Sequence, residues 1–478
     1  MYRQKKYKIQ KGVIMNMRKN ESMKRLIILM LSFLGVLLLT GMYAYTWIEC
    51  YHMKIMYNIH LYFWGHVLMV FLYFVLLFFF DTTYGGMRVG YLKPMDVFFS
   101  KAFSLLCVNM ITYFQYSLIE VKLVRANELM WMTVWQIVFA GAWTFFCNFV
   151  YRKAFPPREL LLVYGDRPIE DILRKFASRP DKYRITDRIH INKGLEAIKK
   201  EIVDSQKAVV LWDIPTSDRN ELFKFCYSRS IRVYMMPKIT DVLLKGSDQL
   251  HLFDTPIMLS RECALRIEQR IIKRIIDIVC SLILLVLSAP IQLITAIVIK
   301  AYDGGPALYK QVRCTINGKE FEILKFRSMR VDAEKDGVAR LAAKNDSRIT
   351  PIGKFIRAVR IDELPQLINI LKGDMSFIGP RPERPQIIAQ YMEEMPEFAL
   401  RMKVKAGLAG YAQVYGKYNT TPYDKLKLDL SYIETYSLWL DIKLMLLTLK
   451  ILFSPDSTEG VDSSQVTALK DGKEQEKM

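Results

Sequence analysis

Four runs of apolar residues open the chain, at Leu26–Ile48, Ile59–Phe80, Val97–Ile119 and Met130–Tyr151. Each holds roughly twenty residues or more, the length a helix needs to cross a hydrocarbon core. The pattern predicts four transmembrane helices over 26–151. Ser100, Lys101, Asn109 and Gln115 interrupt the third. The first run is too long for a signal-peptide core and has no small-residue cleavage site. Residues 1–25 are basic, and Arg152 and Lys153 follow the fourth run. The positive-inside tendency then places both ends in the cytoplasm. Trp47, Trp64, Trp131 and Trp135 fall near the interfaces, as aromatic belts do.

Over 159–262 short apolar runs alternate with helical patterns. Leu160–Val163, Ala208–Trp212 and Arg232–Met236 read as strands, and Pro168–Ala177 and Ser217–Ser228 as helices. This alternation predicts a small parallel α/β sheet of Rossmann-like type. Only Gly165 stands where a dinucleotide turn would need three glycines. A degenerate domain, regulatory or structural, is expected rather than a working dinucleotide site.

A fifth apolar run, Ile275–Ile299, has basic flanks at Arg270, Lys273 and Arg274 and at Lys300, Lys310 and Arg313. A full crossing would put one basic flank outside. Pro290 lies mid-run and breaks or kinks a helix. A re-entrant helix that enters and leaves on the cytoplasmic side accommodates both facts; a kinked fifth span is the alternative. The freed backbone groups would need Ser288 or packed protein as partners. Further on, Ile352, Phe355, Ile356 and Val359 fall at i, i+3, i+4 and i+7, with Lys354, Arg357 and Arg360 on the opposite face. This is a basic amphipathic helix suited to an anionic membrane surface.

Asp362 and Glu363 follow where another short helix should begin, with Pro365 in its first turn and Gly373 at its C-cap. The helix dipole there would favour an ionised, nucleophilic Asp362, although an acidic pair at a helix start is also a good cap. Pro380-Arg381-Pro382 fixes a guanidinium on a stiff turn, a suitable phosphate clamp. Phe321–Met329 reads as an extended segment bearing Lys325 and Arg327. Ala406–Tyr415, with Gln413, is punctuated by glycines that would let a ligand approach the backbone. Leu428–Phe453 suits an interfacial helix, and the polar tail 454–478 a disordered one.

Composition narrows the chemistry. The net charge of +20 fits nucleic acid or anionic lipid, and the long apolar runs decide for lipid. The seven cysteines are scattered without a CxxC pair, so no zinc site or disulfide framework is indicated. None of the five histidines lies beyond His251, which leaves carboxylates as the default catalysts of the C-terminal half.

KRIIDIV at Lys273, KFRSM at Lys325, DELPQLINILKGDMSFIGPRP at Asp362, AGLAGYAQVYGK at Ala406 and SLWLDIK at Ser437 occur in that order. Together they resemble the bacterial sugar transferase family, the monotopic phosphoglycosyl transferases. The preceding part resembles the larger members in layout alone. The resemblance implies a three-part fold: a membrane α-helical four-span bundle, a small Rossmann-like α/β domain, and a mainly α monotopic catalytic domain over 267–453 with its re-entrant helix at 275–299. It implies transfer of a sugar-1-phosphate from a UDP-sugar to undecaprenyl phosphate through a phosphosugar–enzyme intermediate, with Mg2+. Asp362 matches the nucleophile, Glu363 its neighbouring acid/base and Arg381 the phosphate-binding arginine; Asp362 is also the candidate carboxylate for the metal. Lys325, Arg360, Gln413 and Asp441 are further candidates for binding substrate and phosphate. Ser288-Ala289-Pro290 departs from the adjacent Ser-Pro often found at the family's break. The expected setting is the bacterial cytoplasmic membrane, with the catalytic domain on the cytoplasmic side, self-association, and no nucleic-acid partner. Two alternatives remain: a membrane-tethered nucleotide-sugar dehydratase or epimerase, which the missing glycines disfavour, and a non-catalytic scaffold or regulator of polysaccharide assembly.

Overall fold

A computed structural model describes residues 2–52, 62–252, 254–260, 265–330, 346, 348–416 and 420–452, the side chains of 2–22, 252 and 452 excepted. The tail 454–478 and the start of the second apolar run lie outside the described residues. The chain forms two compact units, Met1–Met236 and Pro237–Met478. Among the described residues five helices are long and apolar enough to cross a membrane: Met23–His52, Phe63–Tyr84, Pro94–Glu120, Asn127–Ala154 and Ile267–Asp303.

In the first unit, three of the four residues that interrupt the third apolar run turn inward. Ser100, Lys101 and Asn109 are buried. Lys101 Nζ lies 2.7 Å from Asp81 Oδ2. The Tyr73 hydroxyl donates to Asn109 Oδ1 at 2.8 Å, and Asn109 Nδ2 donates to Gln136 Oε1 at 2.9 Å. Polar groups in such helices need internal partners, and these supply one another.

The same unit holds a parallel sheet of β1 (Arg158–Tyr164), β2 (Tyr183–His190), β3 (Ala208–Trp212) and β4 (Val233–Met235), in the order β2-β1-β3-β4. β1 and β3 are the buried apolar strands expected. β2 and the helix Leu195–Ser205 were not expected, because β2 lies at the sheet edge and alternates with charges. A Cβ on Gly165 would come within 2.2 Å of the Asp213 carbonyl oxygen, so close loop packing accounts for this glycine.

In the second unit, which begins at Pro237, the helix Ile239–Leu244 joins the C-terminal core through Val242. Helix Ile267–Asp303 is unbroken by strand or loop, with Pro290 inside it. Ser288 Oγ donates to the Leu284 carbonyl and accepts from Gln292 Nε2, instead of serving the carbonyl that Pro290 leaves without a donor. Both ends of the helix dock on this unit. Arg274 donates to the carbonyls of Ile370 and Leu371, at 2.6 and 2.7 Å, and Asp277 Oδ1 accepts from Ser376 Oγ and Phe377 N. At the far end Ile299 packs on Phe326 and Ile356, and Asp303 pairs with Arg327. Between them Leu282, Val286, Leu287, Leu293 and Ile294 are exposed.

The expected amphipathic helix is Pro351–Ala358. Its apolar positions divide: Ile356 is buried, while Phe355 and Val359 are exposed. The strands Leu308–Cys314 and Glu320–Phe326 form an antiparallel hairpin. Ser376–Ile378 and Gly407–Ala409 pair in parallel. The glycines at 379, 407 and 410 sit against backbone of this pair; a Cβ on Gly407 would meet Gly379 N at 2.1 Å. They close a backbone joint, which corrects the expectation of a ligand-approach loop. The segment expected as one interfacial helix is two, Pro422–Glu434 and Leu438–Leu452.

Candidate active site

The carboxylate pair lies on the 3-10 turn Ile361–Glu363, not in the first turn of the following helix, Gln366–Lys372. Pro365 is that helix's N-cap, and Gly373, at φ 94°, closes its C-terminus as expected. Arg360 takes the left-handed conformation, φ 54°. A non-glycine residue there costs about 1–2 kcal/mol, and the surrounding hydrogen bonds hold the turn in place: Glu363 N donates to the Arg360 carbonyl and Leu364 N to that of Ile361. Asn369 fixes the turn against the hairpin. Its Oδ1 accepts from Leu324 N at 2.9 Å and its Nδ2 donates to the Glu322 carbonyl at 2.8 Å. The strand bearing Lys325 is thereby registered on the turn bearing Glu363.

The two carboxylates have opposite surroundings. Glu363 meets Arg381 at 3.1 Å, Lys325 at 3.5 Å and Arg360 at 3.6 Å. Burial alone would push its carboxyl up, but the charges of Arg381, Lys325 and Arg360 outweigh burial and hold it well below the usual range. Asp362 makes no hydrogen bond or ion pair among the described residues. Burial, and then the Glu363 charge beside it, push its carboxyl up, against the pull of Lys325, Arg357 and Arg381. This corrects the expectation of a dipole-stabilised Asp362: desolvation and a like charge prevail at a turn outside the helix. Burial lowers the Lys325 ammonium.

Lys325, Arg360 and Arg381 therefore converge on Glu363, beside Asp362. Asp441 does not join them. It is buried, 2.5 Å from Lys273 Nζ, and accepts from the Tyr432 hydroxyl at 2.8 Å. Gln413 Nε2 donates to the Leu408 carbonyl at 3.4 Å, and its Oε1 is buried without a partner. Ser288 and Pro290 lie in the long helix, as described above. Sequence reasoning missed Arg357 as a charge acting on Asp362. It also missed the cluster of Glu383, Arg313, Arg401 and Lys425 behind the Arg381 turn. Burial would raise the Glu383 carboxyl, but Lys425, Arg401 and Arg313 hold it down at about 2.

No group of three or more His, Cys, Asp or Glu side chains among the described residues could hold a metal alone. Asp362, unpaired among the described residues, offers the kind of oxygen donor that magnesium takes. That ion keeps several waters and takes one or two carboxylates plus substrate phosphates. Asp362 is the residue that would hold it.

The model for "Bacterial sugar transferase" matches residues 268–455. Over 190 residues the chain is 40% identical to a UDP-glucose:undecaprenyl-phosphate glucose-1-phosphate transferase of Caulobacter vibrioides, covering 39% of this chain and 71% of that protein. It is 41% identical over 186 residues to a UDP-N-acetylgalactosamine-undecaprenyl-phosphate N-acetylgalactosaminephosphotransferase of Aeromonas hydrophila, covering 38% and 44%. An Escherichia coli protein with the same name as the Caulobacter one is 38% identical over 210 residues, covering 43% of each chain. The match thus spans less than half the length of the latter two relatives. The chain belongs to the bacterial sugar transferase family. It is a membrane-associated transferase, with the carboxylate pair inside the matched region.

Proposed function

We propose that the protein transfers a sugar-1-phosphate from a UDP-sugar to undecaprenyl phosphate at the cytoplasmic face of the membrane, initiating an exopolysaccharide, capsule or O-antigen. The observation that carries this is the contrast at residues 362 and 363: one carboxylate without a partner among the described residues beside one encircled by three cations. Asp362 attacks the phosphorus that bears the sugar, the bond to the bridging oxygen breaks, and UMP leaves. A phosphate oxygen of the lipid then attacks the aspartyl phosphosugar and releases Asp362, giving the undecaprenyl diphosphate sugar. Glu363, held ionised, keeps Lys325, Arg360 and Arg381 assembled where the diphosphate's charge must be met. Bound magnesium would supply further neutralisation of the diphosphate.

The four N-terminal helices serve as a membrane bundle and the β1–β4 domain as a degenerate Rossmann-like module. The long helix is re-entrant, bending at Pro290. Support comes from its basic flanks, its exposed apolar middle and its two ends docked on one unit. A helix that dips and returns lets the lipid phosphate reach Asp362 without leaving the bilayer.

The test is transfer of labelled sugar-1-phosphate from a panel of UDP-sugars to undecaprenyl phosphate, with magnesium, in purified membranes. Product from one donor with stoichiometric UMP is expected; folded protein inactive with every donor would overturn the proposal. The pH profile provides a second check. Asp362 must be ionised to attack, and its carboxyl is raised. The acidic limb of kcat/KM should therefore lie above the ordinary carboxylate value of about 4. In Glu363→Gln the like charge is gone, so the residual activity should show a limb at lower pH.

A further inference from the structure

We infer that Glu383 is the positioning residue of the Arg381 clamp, anchoring the Pro380–Pro382 turn through two bridging arginines. The inference rests on the proposed role of Arg381 toward the donor's diphosphate. Arg401 donates from Nη2 to the Arg381 carbonyl at 3.0 Å and reaches Glu383 Oε1 with Nη1 at 4.0 Å. Arg313 donates from Nη1 to the Pro382 carbonyl at 3.1 Å, and the same nitrogen lies 3.6 Å from Glu383 Oε2. Each arginine thus links the turn's backbone to one carboxylate. Lys425 pairs with Glu383 as well, and the Glu383 carbonyl accepts from Cys314 N. Arg401 is itself secured by Asp429, 2.7 Å away, and both are almost fully buried.

Pro380 and Pro382 are buried at the two ends of the turn. A small cleft lies behind it, lined by Thr315, Ile388, Met402, Val404 and Ala406 together with the turn residues. Hydrogen bonds from Arg313 and Arg401 hold the turn's carbonyls and so help set where the Arg381 guanidinium sits. Without the Glu383 charge, Arg313 and Lys425 would lose the carboxylate they share beside Arg381, and Arg401 would keep Asp429 alone. A buried pair stripped of one partner leaves an uncompensated charge.

The test is equilibrium binding of inorganic pyrophosphate to the purified full chain, comparing wild type, Glu383→Gln, Glu383→Asp, Arg381→Ala and the Arg381→Ala/Glu383→Gln double variant. Glu383→Gln should weaken binding about tenfold or more, with Glu383→Asp between it and wild type. In the Arg381→Ala background the same change should cost nothing further, because coupled residues are not additive. Wild-type binding by Glu383→Gln, or an equal loss in both backgrounds, would overturn the positioning role. If Glu383→Gln does not fold, Arg313→Met removes one bridge and must show the same dependence on Arg381. Pyrophosphate binding does not require turnover. This pattern in a chain inactive with every UDP-sugar would leave the positioning role standing and the proposed reaction refuted.

Discussion

Replacing Asp362 by asparagine is expected to lower sugar-1-phosphate transfer by at least about 10⁴-fold, as loss of a covalent nucleophile does, with no loss of stability. The stability half follows from the raised carboxyl. A carboxylate whose folded-state pKa exceeds its unfolded value binds more protons when folded. Its contribution to stability therefore falls as pH rises through that interval. Asparagine removes the unfavourable charge, so the variant should unfold at or above the wild-type temperature at neutral pH. Glu363→Gln should do the reverse. Its carboxyl is depressed; its stabilisation is present above the ordinary carboxylate value and lost as pH falls through the folded one. The variant leaves Lys325, Arg360 and Arg381 without their shared counter-charge. Transfer assays and thermal unfolding on the two variants test the assignment. Appreciable turnover by Asp362→Asn, or a marked drop in its unfolding temperature, would show that the nucleophile has been misplaced.

What the sequence made legible was local. The apolar runs, the strands β1 and β3, the acidic pair, the Gly373 cap and the arginine between two prolines at 381 are each written in one continuous stretch. Less legible were features that depend on distant partners. Whether a helix dipole or burial governs Asp362 depends on the turn that the left-handed Arg360 creates, and no short-range pattern marks an arginine for that conformation. The Glu383 cluster draws on positions 313, 401 and 425, which share no motif. One long-range signal was nevertheless available. Lys273, Asp277 and Ser281 recur every fourth residue along an apolar run, and all three are buried. A polar stripe on a membrane-length helix marks the face that meets protein.

That stripe bears on the role of Asp441, one of the candidates for binding substrate and phosphate. Its carboxylate pairs with Lys273 across 168 positions of sequence, and Tyr432 bonds to both. Removing one member of a buried pair costs about 3–5 kcal/mol. In a unit of this size each kcal/mol lowers the unfolding temperature by roughly 2–4 °C. Asp441→Asn should therefore unfold about 10 °C below wild type. Replacing both partners by apolar residues of similar size removes the uncompensated charge. Lys273→Met/Asp441→Leu should then recover most of the stability and, with the start of the long helix again seated on the core, most of the transfer activity. A substrate ligand would behave otherwise: Asp441→Asn would keep its unfolding temperature while losing activity, and the apolar double variant would stay inactive. Activity that returns with stability in the double variant would place Asp441 among the residues that seat the membrane helix; activity that does not return would restore it to the site.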